Sequence, residues 1–201
     1  MADNPNVLIL SGFLGSGKTT VLMQLLGRMR ELRGQECRIA IIENEIGSVS
    51  VDSSVIQDAG YSVTEMLSGC VCCTLIGSLV PALDKLRKDL DPDLVILEAT
   101  GVATPETMKD SIERYAECPV RVLTLVDASR WERIRVPLAT LLTSQLGPAD
   151  VICVNKTDLI DGAQADAVEA SVREMNATAP LVRVSAAQPI AAADLDCMLG
   201  V

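Results

Sequence analysis

Residues 12–19, Gly12-Phe13-Leu14-Gly15-Ser16-Gly17-Lys18-Thr19, spell a complete G-x-x-x-x-G-K-T. Glycines at these positions let backbone N–H groups curl around phosphate oxygens, and a helix opening at the lysine adds positive potential. Lys18 has the reach for β- and γ-phosphates, and the Thr19 hydroxyl suits Mg²⁺. The pattern follows the apolar run VLILS and opens TTVLMQLLGRMR, a context that sets it apart from a chance Gly-rich turn. The expectation is a bound nucleoside triphosphate, with Gly12, Gly15, Ser16, Gly17, Lys18, Thr19 and Thr20 around its phosphates.

Asn155-Lys156-Thr157-Asp158 follows the run VICV. A carboxylate there accepts two hydrogen bonds from guanine N1–H and N2–H₂. Adenine has no such donor pair on that edge and would leave the aspartate desolvated and unpaired. Lys156 is expected along the base plane, with Asn155 bracing the loop. Ser185-Ala186 is expected to offer a backbone N–H to guanine O6. The base is therefore read as guanine. Between these motifs, Glu98 ends the buried run LVIL. It sits where magnesium needs a nearby carboxylate, and the N–H of Gly101 is placed to approach the γ-phosphate.

Cys70, Cys72 and Cys73 crowd into Gly69-Cys70-Val71-Cys72-Cys73, just before a helix expected near Thr74. A helix N-terminus lowers thiol pKa, favouring thiolates that bind metal or react. Three thiolates suit Zn²⁺ or another thiophilic ion, and Glu43 or Glu45 is a candidate for the fourth position. The alternatives are a structural cysteine turn and a redox sensor. For Glu43, Glu45 and Asp52 the alternative is a solvated loop face. Asp127, at the end of a strand and ahead of Trp131, reads as a cap or loop brace.

The elements that must position these residues alternate along the chain. Apolar runs at 7–10, 39–42, 94–97, 120–126, 151–154 and 181–184 read as buried strands. Helical spacing marks 18–33, 74–90, 105–116, 131–146 and 163–177, as in Leu79, Leu83, Leu86 and Leu90. This alternation predicts a three-layer α/β/α arrangement, its mostly parallel sheet covered by helices on both faces. With the G-x-x-x-x-G-K-T after the first strand, the expected fold is that of the P-loop NTPases. Residues 43–73 show no period, and an aperiodic stretch of that length is more often functional than inert.

Composition narrows the chemistry further. The chain has 201 residues, a formal net charge of −10, and no histidine. That removes His-based acid–base catalysis and imidazole metal sites, and the acidic balance argues against nucleic acid as a partner. There is no leader-like start and no apolar run long enough to span a membrane. The reading is cytoplasmic, where thiols stay reduced. Cys37 and Cys153 read as core residues.

Taken together, S-G-F-L-G-S-G-K-T-T at 11–20, E-N-E-I-G at 43–47, G-C-V-C-C at 69–73, E-A-T-G at 98–101, V-D-A at 126–128 and N-K-T-D at 155–158 resemble the CobW-type metallochaperone GTPases. These are relatives of the hydrogenase and urease nickel-insertion GTPases (CobW/HypB/UreG). The resemblance runs in order through nearly the whole chain. It implies a G domain that binds GTP and Mg²⁺, hydrolyses GTP slowly and delivers a metal, Zn²⁺ or Co²⁺, to a client metalloprotein. By position it implies metal at Cys70, Cys72 and Cys73. It likewise implies phosphate and Mg²⁺ at Lys18, Thr19 and Glu98, and guanine at Asn155 and Asp158.

Glu43 to Gly47 match the segment that resembles a first switch. Glu43 is the candidate for activating water, with Lys18 as the other catalytic group. Such proteins commonly continue into a second domain, so 1–201 is expected to be a single nucleotide-binding domain without it. Dimerisation across the nucleotide face is a further implication. Two other readings stay open: a GTPase chaperone for a corrinoid protein or the cobalamin pathway, and a nucleotide-gated metal or thiol sensor.

Overall fold

Aliphatic strands that alternate between two apolar faces require helices on both sides, and that is the arrangement found. A computed structural model describes residues 5–34, 37–43, 62–65, 74–99 and 104–201, with backbone alone at 43, 62–65 and 74–78. The strands are β1 (Asn6–Gly12), β2 (Ile39–Glu43), β3 (Ser62–Glu65), β4 (Leu94–Glu98), β5 (Val120–Asp127), β6 (Val151–Asn155) and β7 (Leu181–Arg183). They form one sheet in the order β3-β2-β4-β1-β5-β6-β7. Every pairing is parallel.

The helices are α1 (Lys18–Arg33), α2 (Thr74–Asp89), α3 (Pro105–Tyr115), α4 (Trp131–Ile134), α5 (Ala139–Leu146), α6 (Gly162–Met175) and α7 (Ala192–Leu199). Val7, Ile9, Val95 and Leu97 face α2, α3, α5 and α6, meeting Leu83, Ile112, Leu142 and Val172 in one buried cluster. Leu8, Leu10, Ile41 and Ile96 face the other way, against Val21, Leu22, Leu25 and Leu26 of α1 and Leu195 and Met198 of α7. Period-two alternation within each strand thus divides the core into two layers. With aromatic residues at 2%, branched aliphatics fill both layers, and Trp131 is the large exception, fully buried beside Val126 and Leu142.

Three elements differ from the sequence reading. β3 lies inside the stretch read as aperiodic, where it pairs with β2 as an edge strand; four residues carry too little alternation to reveal it. The segment 131–146 is two helices, α4 and α5, because Pro137 lacks the N–H that the Arg133 carbonyl would need and its ring crowds that carbonyl. α7 follows the last expected element and is held by Leu195 and Met198 against α1. Leu90 also falls just past the end of α2 and is 39% exposed, so the apolar recurrence ends at Leu86.

Parallel pairing brings the carboxyl ends of the strands to one edge. Leu10 is in register with Glu98, Gly12 with Leu125, and Asp127 with Asn155. β1 sits between β4 and β5, where the chain's path across the sheet reverses, and ligands of open α/β sheets bind at such an edge.

Candidate nucleotide site

The loop from Gly12 to Lys18 follows β1 and opens α1 as expected. Gly12, Gly15 and Gly17 all have positive φ, at 137°, 76° and 96°. A Cβ on Gly12 would lie 2.6 Å from the Leu125 carbonyl oxygen, and one on Gly17 would run into Asn155 Nδ2. Only glycine leaves the loop both curled and pressed against its neighbours. Lys18, the first residue of α1, is buried; its Nζ donates to the Gly12 carbonyl at 3.2 Å and lies 3.8 Å from Glu98 Oε1. The Lys18 ammonium and the strand-end carboxylate of Glu98 therefore lie side by side at the carboxyl edge of the sheet. Ser16 Oγ is buried beside Gly12 and has no hydrogen-bond partner among the described residues. Thr19 and Thr20 occupy the first turn of α1.

Asn155, the last residue of β6, is buried and works in two directions. Its Nδ2 donates to the Ser16 carbonyl at 2.8 Å, and its Oδ1 accepts from the Ala186 N–H at 2.9 Å. These two bonds link the loop after β1 to the loop after β7 through one side chain. The N–H expected to face guanine O6 is, within the chain, given to Asn155. Lys156 adopts a left-handed backbone conformation (φ 63°) and aims Nζ at the Gly15 carbonyl and at Asp127 Oδ2, 2.8 Å away. Ser185 Oγ donates to Asp158 Oδ1 at 2.6 Å, orienting the carboxylate expected on the base.

Asp127 closes the network and caps a 3₁₀ turn, Ala128–Arg130, by accepting from the Ser129 N–H. Burial by itself would push its carboxyl up. Hydrogen bonds from Lys156 and Ser129, with the charges of Lys156 and Arg130, outweigh burial and hold it below the ordinary value. Arg130 was not singled out by the sequence. Its Nε lies 3.4 Å from Asp127 Oδ2, and its Nη1 donates to the Leu14 carbonyl at 3.4 Å. A guanidinium thus lies against the outer side of the phosphate loop, 3.3 Å from where a Gly15 Cβ would be. The only signal in the sequence was the i, i+3 spacing from Asp127.

The metal side of the reading is placed in part. Glu43 ends β2, with its Cα in register with Glu98 and Glu65 on the flanking strands. Cys70, Cys72, Cys73, Glu45 and Gly101 lie outside the described residues, as does Asp52. α2 begins at Thr74, the residue after Cys73, as expected. Among the described residues no group of three or more Cys, Asp or Glu converges to hold a metal. The other cysteines pack inward. Burial pushes the Cys153 thiol up to about 12 and raises those of Cys118 and Cys37. Cys197 is half-buried against the α1 layer. Among the described residues no helix is long and apolar enough to cross a membrane.

A parallel α/β sheet with a glycine-rich phosphate loop after β1 and N-K-T-D after β6 defines a P-loop nucleotide-binding domain. The profile of the CobW/HypB/UreG nucleotide-binding domain matches residues 6–183, and the chain belongs to that family. It is 33% identical to the zinc chaperone YjiA of Escherichia coli over 189 residues, covering 89% of this chain and 57% of that protein. It is 31% identical to the zinc chaperone CobW of a Sinorhizobium species, covering 93% and 60%. The chain thus spans less than two thirds of these relatives.

The crystal structure of Zn(II)-bound YjiA GTPase from E. coli superposes with a TM-score of 0.67 at 27% identity, over 98% of this chain and 63% of that one. The hydrogenase maturation factor HypB from Archaeoglobus fulgidus shares the fold, with a TM-score of 0.67 at 18% identity over 98% and 90%.

Proposed function

We propose that this chain binds GTP with Mg²⁺ and hydrolyses it slowly to GDP and phosphate. On this reading nucleotide state controls a thiophilic metal, Zn²⁺ or Co²⁺, held at Cys70, Cys72 and Cys73 for delivery to a client metalloprotein in the cytoplasm. The observation that carries the nucleotide half is Asn155 bridging Ser16 of the phosphate loop and Ala186 of the base loop. One buried side chain joins the group that reads phosphate to the groups that read the base.

Each residue has a task in this reading. The Gly12–Lys18 backbone and Lys18 hold the phosphates, and Asp158 takes the two guanine donors. Thr19 and Glu98 offer hard oxygen donors, which fit Mg²⁺ rather than a soft ion. When bound, that ion offsets negative charge on the β- and γ-phosphates. Glu43, in the register row of Glu98, stands at the start of the segment that would carry water or metal ligands. The zinc chaperone relatives support zinc as the cargo. Thiolates suit zinc, and the sequence sets three of them together at Cys70, Cys72 and Cys73, whereas Cys118 and Cys153 are single thiols packed in the core.

Zn²⁺ and Co²⁺ affinities measured with a non-hydrolysable GTP analogue and with GDP test the coupling. A difference of at least fivefold is expected, about 1 kcal/mol. Equal affinities would leave no coupling, and GTP binding without phosphate release, even with metal present, would favour a sensor.

A further inference from the structure

We infer that Gln24, on the second turn of α1, is a positioning residue for guanine selection, acting on Asp158 through the loop after β7. The inference rests on the guanine-nucleotide reading and extends it to a residue outside every nucleotide motif. Gln24 Nε2 donates to the carbonyls of Ala186 and Gln188, each at 3.0 Å. Its Oε1 accepts from the Ile190 N–H at 2.8 Å. One side chain therefore makes three hydrogen bonds to a segment of irregular backbone between β7 and α7.

The peptide groups of Ala186 are then held from both sides. Its N–H goes to Asn155 and its carbonyl is taken by Gln24. Ser185, one residue earlier, donates its hydroxyl to Asp158 Oδ1 at 2.6 Å. The Val184 carbonyl before it accepts from Thr157 Oγ1 at 2.9 Å. The order of contacts is Gln24 to the Ala186 peptide, through Ser185, to the carboxylate that pairs with the base. The helix carrying Gln24 begins at the phosphate lysine, so phosphate and base readers share one rigid element. Arg28, one turn on from Gln24, pairs with Asp196 of α7 through two hydrogen bonds, 2.7 and 2.9 Å, closing the same interface.

Glutamate at position 24 preserves size and the acceptor for Ile190 but cannot donate to the two carbonyls. Gln24→Glu and Gln24→Ala should both release residue 186 and let Ser185 and Asp158 drift. The base contact most sensitive to that drift is the guanine 2-amino group, which inosine nucleotides lack. The experiment compares GDP, IDP and ADP binding in wild type and both variants, with tripolyphosphate competition as the phosphate-only arm. We expect the GDP-over-IDP preference to fall about tenfold in both variants while tripolyphosphate affinity stays within twofold.

Amide exchange in nucleotide-free protein should speed up at Ala186 and Ile190 in the alanine variant. An unchanged GDP/IDP ratio overturns the inference. So does an equal loss of GDP and tripolyphosphate, which would mean a damaged helix. Wild-type protein that does not prefer GDP over ADP overturns the guanine reading itself, in an arm that needs no variant. Unchanged exchange at both amides overturns the positioning role independently of any nucleotide.

Discussion

Lys156 Nζ lies 2.8 Å from the Asp127 carboxylate, tying the loop after β6 to the end of the neighbouring strand β5. Both residues directly follow or end strands paired in register at Asp127 and Asn155, so the contact spans the same edge that holds the phosphate loop. Because Lys156 also reaches the Gly15 carbonyl, a single ammonium group joins the base loop, the phosphate loop and the 3₁₀ turn after β5.

Asp127→Asn should cost stability at neutral pH, since an amide would face Lys156 and Arg130 in place of a carboxylate. The Asp127 carboxyl is held below its ordinary value, so its contribution is fully present above that value, about 3.9 for a free side chain. It is lost as pH falls from there through the lower folded value. Urea midpoints of both proteins from pH 7 to pH 2 should therefore converge at the acid end. A gap that stays constant down to pH 2 would contradict the charged network.

Asp158→Asn should exchange guanine for xanthine preference. The new amide N–H pairs with the xanthine 2-oxo group, while the guanine 2-amino group meets a donor. Guanine nucleotides should weaken by about 100-fold or more, in the range expected where a base donor is left facing a donor. Competition between GDP and XDP for a fluorescent nucleotide reads the switch directly.

Arg130 is a cation in a chain of net charge −10, set against the phosphate loop and half-exposed. Arg130→Ala should slow nucleotide association several-fold at low salt, because local positive potential raises the encounter rate. The difference should close near 1 M salt, where charges more than about 3 Å apart are screened. Stopped-flow rates that differ equally at both salts would point to a steric role.

Cys72→Ser should reduce Zn²⁺ affinity by at least tenfold while leaving GDP binding within twofold, because the thiolate is the soft ligand and the hydroxyl is not. Elemental analysis of protein equilibrated with Zn²⁺, beside a GDP titration, separates the two effects. Stoichiometric zinc in the variant would remove Cys72 from the ligand set.

Much of the site was legible because its chemistry is local. The Gly12–Lys18 loop needs its positive-φ positions within a few residues of one another, and the sequence places glycine at each. Glu98 could be read from its position after four buried aliphatics, and Asn155 and Asp158 from the same logic after VICV. Arg130 was not legible, because its importance depends on a 3₁₀ turn that folds it back over Leu14. Gln24 was hidden more deeply. On α1 it reads as a polar position beside an apolar stripe, and its partners lie more than 160 residues away.

The chain by itself determined the alternation of strands and helices, the phosphate loop, the guanine motif and the cysteine cluster, since each depends on residue type and short spacing. Tertiary structure decided which of them meet. The parallel order β4-β1-β5-β6 sets Glu98 beside Lys18 and Asn155 beside Ser16. It also decided that Pro137 divides a helical stretch into α4 and α5, and that β3 joins the sheet edge on little local pattern. The physical reason is that periodicity encodes which face of an element is buried. Hydrogen bonds across the sheet edge depend on strand order and register, which no single segment carries.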